Sequence, residues 1–211
     1  MSISSSKEVI LKKIRKALSA STPLPFPQSE GTGSVYHPAQ QEMEIQFAEQ
    51  FTKLQGKFLF CLTLAEAAAQ LTALATAKSW ANIYCTETAL QAALQKAGFT
   101  NFSNTPLADC DAAITTCDSL VARTGSIVLS SHSASGRTTS VYAPVHICIA
   151  YTKQLVYDIK DALQQARDHY GNQLPSIISF ASGPSRTADI EKTLVTGVHG
   201  PKEVYLLLVD Q

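Results

Sequence analysis

The change of hydrophobic period between residues 57 and 98 constrains the fold of this chain most. "KFLFCL" (57–62) and "ANIYC" (81–85) are short apolar runs typical of buried strands. The stretches that follow them, "TLAEAAAQLTALATAKS" (63–79) and "TETALQAALQKAG" (86–98), have helical spacing. Strands that alternate with helices predict an α/β fold whose parallel sheet is covered by helices on its faces.

Capping residues support these helix assignments. Thr63 is a predicted N-cap, and Glu66 three residues later completes the pattern of a capping box. Gly98 and Gly171 are placed to end the helices that precede them, at 86–97 and 157–170.

The second half of the chain predicts more strands than helices. "DAAITTCDSLVARTGSIVLSS" (111–131) divides into two or three short strands joined by tight turns. Further strands are expected at "VHICIAY" (145–151), "SIISFA" (176–181) and "EVYLLLVD" (203–210), and at most a short helix at "TADIEKTL" (187–194). The final strand is apolar on both faces, which predicts a central position in a covered sheet.

The chain is expected to have three parts: an N-terminal amphipathic helix (1–20), a linker arm rich in proline and glycine (21–40), and an α/β domain (41–211) that begins with a helix at 41–54. In the first helix Ile10, Leu11, Ile14 and Leu18 form one apolar stripe among basic residues. The stripe is narrow and lacks aromatic residues, which favours docking on a partner or on the chain's own domain over a membrane-surface role.

Composition excludes several classes of protein. Only 16% of the 211 residues are charged and the formal net charge is zero, which argues against a nucleic-acid-binding surface. No apolar run is long enough to predict a transmembrane segment, and Lys12 and Lys13 interrupt any secretory signal. The five cysteines have no C-x-x-C spacing, so we expect buried, reduced thiols in a cytoplasmic protein, with no metal and no cofactor in this chain.

Polar segments that adjoin the predicted strands are the candidates for a ligand site, because ligands of open α/β sheets bind outside the carboxyl ends of the strands. In the first, Thr124, Gly125 and Ser126 form either a plain turn or a ligand contact. In the second, "SSHSASGRTTS" (130–140), Gly136 gives access to the backbone and Arg137 suits a carboxylate or phosphate, although a solvated loop explains the composition equally well.

The third and fourth segments, "SGPSRTADIE" (182–191) and "TGVHGP" (196–201), are near each other in the chain and can line one pocket. We expect Gly183 to form a turn and Ser185 or Thr187 to cap a helix whose first turn contains Asp189 and Glu191. The positive charge of Arg186 is unfavourable beside the amino end of such a helix. We therefore interpret Arg186 as a residue that binds an anion. "TGVHGP" on its own is typical of a constrained turn.

His146 is a candidate of a different kind, because it lies inside the predicted strand 145–151. Alternation places His146, Cys148 and Ala150 on one face of that strand. His146 is either a hydrogen-bonded core residue or a general acid–base group that faces a cleft.

Together, "TGSIVLSS" (124–131), "GRTTSVYAPVHICIAY" (136–151), "ISFASGPSRTADIEKTLVTGVHGPKEVYLLLVD" (178–210) and the basic N-terminal helix resemble the LUD-domain (DUF162) family, in particular its lactate-utilization C group. The resemblance spans nearly the whole chain, and the block 182–210 is its most distinctive part. It implies a three-layer α/β/α fold with a mixed, mainly parallel sheet, similar to the NagB/RpiA/CoA-transferase superfamily.

The resemblance also implies a bacterial three-protein system that oxidises L-lactate to pyruvate. Its A and B components are expected to be iron–sulfur proteins, and the C component to carry no cluster. Carried over by motif, the site residues are Thr124, Gly125, Gly183, Pro184, Ser185, Thr187, Asp189, Glu191, His199 and Gly200. Arg123 departs from the family pattern, in which an acidic residue commonly precedes the "TG" element, and this puts an enzymatic role of that turn in doubt.

Three functions follow as hypotheses. The first is a non-cluster component of a lactate-oxidising complex that binds a small carboxylate such as lactate through Arg137 or Arg186. The second is a separate enzyme for a phosphorylated or CoA-activated small molecule, with Asp189, His199 and His146 as candidate catalytic acid–base groups. The third is a regulatory or scaffold protein without a ligand.

Overall fold

The computed structural model of the protein describes residues 6–19, 39, 41–187 and 195–210. The chain divides into two compact units, Met1–Pro38 and Ala39–Gln211. In the first unit the described residues form the helix α1 (Ser6–Leu18), at the position that the apolar stripe predicts. Apart from residue 39, the predicted linker 21–40 lies outside the described residues, and the three-part division of the chain stays a prediction.

The second unit contains the predicted alternation of helices and strands. Its described helices are α2 (Met43–Lys53), α3 (Leu64–Lys78), α4 (Thr88–Lys96), α5 (Thr139–Tyr142) and α6 (Ile159–Tyr170). Its strands are β1 (Lys57–Cys61), β2 (Ile83–Tyr84), β3 (Ala112–Thr115), β4 (Ser119–Val121), β5 (Ser126–Ser130), β6 (Val145–Tyr151), β7 (Leu155–Val156), β8 (Ile178–Ala181), β9 (Arg186–Thr187), β10 (Val195–Thr196) and β11 (Glu203–Val209).

A parallel sheet with strand order β1-β11-β6-β3-β2 forms the centre of the unit. Strand β11 lies between β1 and β6 and pairs with both over its length, with Tyr205 opposite Lys57 on one side and Ile147 on the other. Six of its seven residues are buried. The prediction that the final strand is central is therefore confirmed.

The two faces of the central sheet carry different layers. On one face Ile147, Ile149 and Leu207 pack against α3 and α4 in a common core. On the other face Cys148 and Leu206 pack against α2 and against a second, smaller sheet. The alternation expected along β6 is confirmed, because the odd-numbered and even-numbered residues belong to these two separate cores.

The second sheet has strand order β7-β4-β5-β8. Strands β4 and β7 are parallel, and the other two pairs are antiparallel. Helix α6 packs on its outer face, where Val121, Val128 and Ala162 form a core of their own. The α/β class with a mainly parallel sheet is thus confirmed, and the antiparallel strands of the expected mixed sheet are found in this separate sheet.

The helix ends agree with the caps predicted from the sequence, with one difference in a hydrogen-bond partner. Thr63 Oγ1 accepts a hydrogen bond from the Glu66 backbone N–H at 3.2 Å, as in a capping box. The Glu66 carboxylate accepts from the Leu62 backbone N–H at 2.8 Å instead of from Thr63. Gly98 and Gly171 follow α4 and α6, as predicted.

One predicted cap is wrong. Arg186 and Thr187 form β9, which pairs antiparallel with Val195 and Thr196 of β10. Ser185 therefore precedes a strand and does not cap a helix. Thr187 is the last residue of that strand, and its role as a cap stays a prediction. The rest of the predicted helical stretch, residues 188–194, lies outside the described residues.

None of the helices that the structure describes has the length and apolar character needed to cross a bilayer.

Candidate functional site

A cavity of about 190 Å³ lies at the open end between the two sheets. It is bordered by the first residues of β6 and β11, by β5 and β8, by the turn before β9 and by the turn after β10. We call it the amino-end cavity, because it adjoins the amino ends of two parallel strands. Its lining consists of Leu129, Ser140, Val141, His146, Ser179, Phe180, Ala181, Gly183, Ser185, His199, Gly200, Pro201 and Val204.

Backbone hydrogen bonds join the third and fourth sequence segments beside this cavity. The Ser185 N–H donates to the Pro201 carbonyl at 2.9 Å, and the Gly197 N–H donates to the Ser185 carbonyl at 2.9 Å. The pairing of β9 with β10 continues this contact. The two segments therefore lie side by side, as their closeness in sequence predicts.

Gly183 is needed where the chain leaves β8. Its φ is +103°, and a Cβ atom there would lie 2.5 Å from the carbonyl oxygen of Leu54. A side chain at this position would be strained by its backbone conformation and would collide with the end of α2. The close contact holds the third segment against α2 and fixes the wall of the cavity.

His146 is both a core residue and part of the cavity lining. Its side chain is 1% exposed, and its Nε2 lies 2.8 Å from Thr115 Oγ1. Burial lowers the pKa of His146 to about 4, so the imidazole is neutral at neutral pH. A neutral imidazole with one nitrogen bonded to Thr115 can orient a ligand or accept a proton, but it adds no charge.

The remaining polar groups of the cavity are His199 and the hydroxyls of Ser140, Ser179 and Ser185. Among the described residues that line it there is no Asp, Glu, Lys or Arg. Hydroxyl and imidazole N–H groups donate hydrogen bonds to an anion, and no carboxylate of the described lining repels one. The cavity therefore suits a small neutral or anionic molecule.

The position of this cavity differs from the one that the sequence predicts. Segment 196–201 precedes β11, and segment 130–140 precedes β6, so both reach the amino ends of the parallel strands. Strand β8, which the third segment follows, belongs to the other sheet. Ligands of open α/β sheets usually bind at the carboxyl ends of the strands. This cavity lies at the amino ends instead, because its segments precede the central strands β6 and β11.

The "TGS" turn joins β4 to β5 and is not part of the cavity. Gly125 has φ +60°, and a Cβ atom there would lie 2.5 Å from the Phe51 backbone nitrogen. Ser126 Oγ lies 2.7 Å from Thr124 Oγ1 and 2.6 Å from the Ser182 hydroxyl. These contacts give the turn a packing role against α2 and a link to the third segment.

Arg123, the departure from the family pattern, has a partner in the structure. It forms an ion pair with Asp158, the N-cap of α6. Burial acts to raise the pKa of Asp158, but hydrogen bonds from Arg123 and the Lys160 backbone N–H lower it overall. Arg123 thus connects the turn after β4 to the start of α6.

The two candidate arginines lie outside the cavity. Arg186 is exposed and donates a hydrogen bond to the carbonyl of Leu54, the C-cap of α2, where a cation is favourable. Arg137 and Gly136 lie in the turn before α5, and Arg137 is exposed. Neither arginine is among the cavity residues, so the geometry gives no support to a carboxylate clamp formed by either one.

The structure brings together five of the predicted site residues in the amino-end cavity: His146, Gly183, Ser185, His199 and Gly200. Pro184 and Thr187 are half-buried nearby in the chain but do not line it. Asp189 and Glu191 lie outside the described residues.

Sequence reasoning missed Ser140, Ser179 and Val141 as lining residues. Ser179 had a usable signal, because it alternates with Ile178 and Phe180 along β8 and so lies on a different face from them. Ser140 and Val141 belong to α5, a four-residue helix with no distinctive pattern.

An outer cavity of about 410 Å³ adjoins the amino-end cavity and shares Val141, His199 and Gly200 with it. Tyr142, Pro144, Val198 and Lys202 are among its other lining residues. Lys202 gives this outer cavity a positive charge that the amino-end cavity lacks.

The part of the chain that the structure describes contains neither a disulfide nor a cluster of metal-binding side chains. All five cysteines are buried free thiols. No group of three His, Cys, Asp or Glu side chains in residues 6–19, 39, 41–187 and 195–210 is placed to hold a metal ion.

A solved structure has a fold similar to that of this chain. A DUF162 family protein from Deinococcus radiodurans matches with a TM-score of 0.59 at 18% identity, over 82% of this chain and 99% of that chain. At this identity the likeness concerns the fold alone.

Curated relatives match just under half of the chain. Lactate utilization protein C from Shouchella clausii is 40% identical over 101 residues, which are 47% of this chain and 44% of the relative. The proteins of the same name from Halalkalibacterium halodurans and Bacillus subtilis are 38% and 37% identical, over 48% and 46% of this chain and 45% and 42% of their own lengths. The matched region thus spans less than half of the length of these relatives.

The family model of the LUD domain matches residues 104–209, which are half of the chain. This region includes β3 to β11 and therefore both cavities described above. The chain belongs to the LUD domain family.

Proposed function

We propose that this protein is a component of a bacterial lactate-utilization system and that it binds a small carboxylate in the amino-end cavity. The observation that carries the proposal is the convergence of His146, Ser185 and His199 on a cavity whose described lining residues include no carboxylate. The shared name of the relatives from Shouchella clausii, Halalkalibacterium halodurans and Bacillus subtilis supports the choice of lactate.

The size and polarity of the cavity agree with this ligand. At about 190 Å³, it holds a molecule of a few non-hydrogen atoms such as lactate. The hydroxyl of Ser185 and the ring of His199 are positioned on its wall to hydrogen-bond a carboxylate, while Leu129 and Val204 offer an apolar surface to a methyl group.

The redox step belongs to the assembled system in this proposal. Oxidation of lactate to pyruvate removes two electrons and two protons. We assign the electrons to iron–sulfur clusters in the two partner proteins and the protons to the solvent. The five thiols of this chain are buried and are not grouped as cluster ligands. Free thiols are also typical of cytoplasmic proteins, and we place the system in the cytoplasm.

Isothermal titration calorimetry with L-lactate, pyruvate and n-propanol tests the ligand. We expect both carboxylates to bind and the alcohol, which lacks the anion, not to bind. Equal binding of propanol, or no heat with any of the three at tens of millimolar, would contradict the carboxylate assignment.

Co-purification from a native host tests the partners. A tagged copy is expected to retain iron–sulfur proteins, and deletion of its gene is expected to stop growth on L-lactate but not on glucose. Normal growth on lactate together with purification as a single species would exclude membership in such a system.

The outer cavity supports a second candidate, a separate enzyme for a phosphorylated or CoA-activated small molecule. Lys202 is positioned there to pair with a phosphate, next to His199. A thermal-shift screen of sugar phosphates and CoA esters separates the two functions, because a bound ligand raises Tm. A stabilising phosphate ester whose effect disappears in Lys202→Ala would favour this second function.

A further inference from the structure

A third cavity, of about 490 Å³, lies between α6 and the outer face of the smaller sheet. We propose that it binds a small organic ammonium ion, and we call it the α6 cavity. Its lining consists of Cys117, Asp118, Ser119, Val128, Ala162, Gln165, Ala166, Asp168, His169 and Tyr170. None of these residues lines the amino-end cavity, so the proposal is independent of lactate binding.

The space exists because α6 covers the sheet with small residues. Ala162 and Ala166 are one helical turn apart and face the sheet, where both are buried. Opposite them, Ser119 and Val128 are cross-strand partners on β4 and β5. Together these side chains leave an apolar floor with one hydroxyl in it.

That hydroxyl is an unpartnered polar group. Ser119 is 2% exposed and lines the cavity, yet no described residue forms a hydrogen bond with its side chain. Side-chain polar atoms in protein interiors are usually hydrogen-bonded, and this hydroxyl borders the space of the cavity. The Ser119 hydroxyl is therefore available to a ligand that enters the cavity.

The negative charge of the lining favours a cationic ligand. Asp118 and Asp168 supply carboxylates, and the described lining residues include no lysine or arginine. Tyr170 donates a hydrogen bond from its hydroxyl to Asp118 Oδ2 at 3.2 Å, and its oxygen lies 3.0 Å from the Ser130 hydroxyl. These bonds fix the Asp118 carboxylate beside Ser119, where it attracts a cation.

Aromatic rings favour an organic cation. Tyr170 lines the cavity. The centroid of its ring lies 4.6 Å from the ring centroid of His169 and 5.2 Å from that of His132. A primary ammonium ion donates three hydrogen bonds, which matches Asp118 and Ser119 as acceptors, and it is attracted to a tyrosine ring. Its alkyl chain would pack against Val128, Ala162 and Ala166.

The test uses n-butylamine, which is an ammonium ion at pH 7, with n-butanol and butyrate as neutral and anionic molecules of the same length. In calorimetry with the full chain, we expect butylammonium to bind and the other two not to bind. Equal binding of butanol, stronger binding of butyrate, or no binding of the amine at tens of millimolar would each overturn the proposal.

Variants locate the binding. Asp118→Asn removes the charge and is expected to weaken butylammonium binding roughly tenfold, and Ser119→Ala to weaken it about threefold. Asp109→Asn is the matched control, because Asp109 is exposed and lies outside the cavity lining. Unchanged affinity in Asp118→Asn, or an equal loss in Asp109→Asn, would place the amine elsewhere.

Ala166→Leu fills the cavity and is expected to abolish amine binding. A thermal melt shows whether this variant folds, and Asp118→Asn keeps the proposal testable if it does not. Because lactate is titrated separately, loss of one ligand with retention of the other distinguishes failure of this proposal from failure of the proposed function.

Discussion

The amino-end cavity and the α6 cavity differ in how they are built. The first is enclosed by backbone turns, in which Ser185, Gly197 and Pro201 exchange main-chain hydrogen bonds. The second is enclosed by side chains of one helix over one sheet face. Among the described lining residues, the first has histidines and hydroxyls and no carboxylate, whereas the second has two carboxylates.

The two cavities of this domain thus depend on different parts of the structure. A change of backbone conformation should affect mainly the amino-end cavity, and a change of one side chain on α6 should affect mainly the α6 cavity.

Gly183→Ala is expected to lower the free energy of unfolding by about 3 kcal/mol and to abolish carboxylate binding, because the new Cβ atom meets the Leu54 carbonyl in a strained conformation. Gly136→Ala is the matched control, since Gly136 also has positive φ but no atom within 4 Å of the added Cβ. It should lose only about 1 kcal/mol. Urea unfolding measures both, and equal losses would contradict the role given to the Leu54 contact.

Stability should fall on acidification because of His146. Its pKa is lowered from 6.5 to about 4 by burial, so its contribution is fully present above pH 6.5 and is lost as the pH falls towards 4. Between pH 7 and pH 5 the loss is expected to be about 2 kcal/mol. His146→Gln should remove this part of the pH dependence in urea unfolding, and an unchanged slope would show that His146 does not titrate in this way.

His199→Ala and His169→Ala form a reciprocal pair across the two cavities. The first is expected to weaken lactate binding about tenfold and to leave butylammonium binding unchanged. The second should leave lactate binding unchanged and weaken amine binding only slightly, about twofold, because His169 is exposed at the rim. Calorimetry with both ligands gives the four affinities, and a variant that weakens both ligands would show that the cavities are coupled.

Arg186→Ala is expected to lower stability by about 1 kcal/mol, through loss of its hydrogen bond to the Leu54 carbonyl, and to leave lactate affinity unchanged. Arg137→Ala should change neither quantity, because Arg137 is exposed and has no such contact. A tenfold loss of lactate affinity in Arg186→Ala would restore the anion-binding role that its sequence position indicates.

The sequence predicts most of the fold because its local signals agree. The alternation of apolar runs and helical spacing places β1 to α4 correctly, and Thr63, Gly98 and Gly171 mark helix ends where the structure has them. The uninterrupted apolar run of β11 predicts that it is a central strand.

The candidate site is only partly predictable because it depends on long-range contacts. The closeness of Gly183, Ser185 and His199 follows from their separation in the chain, but the presence of His146 beside them requires the pairing of β6 with β11. Arg186 misled the sequence reasoning for the same reason. Its partner is a carbonyl 132 residues earlier, at the end of α2.

The place of β11 in the central sheet has a consequence for biosynthesis. Strand β1 pairs with β11, and the side chains of Lys57 and Tyr205 that meet across them are 148 residues apart in the chain. A ribosome that has translated only as far as β10 has therefore released β1 without the strand that joins it to β6. The residues of β1 lack this partner until β11 has been translated, so closure of the central sheet is a late step in folding.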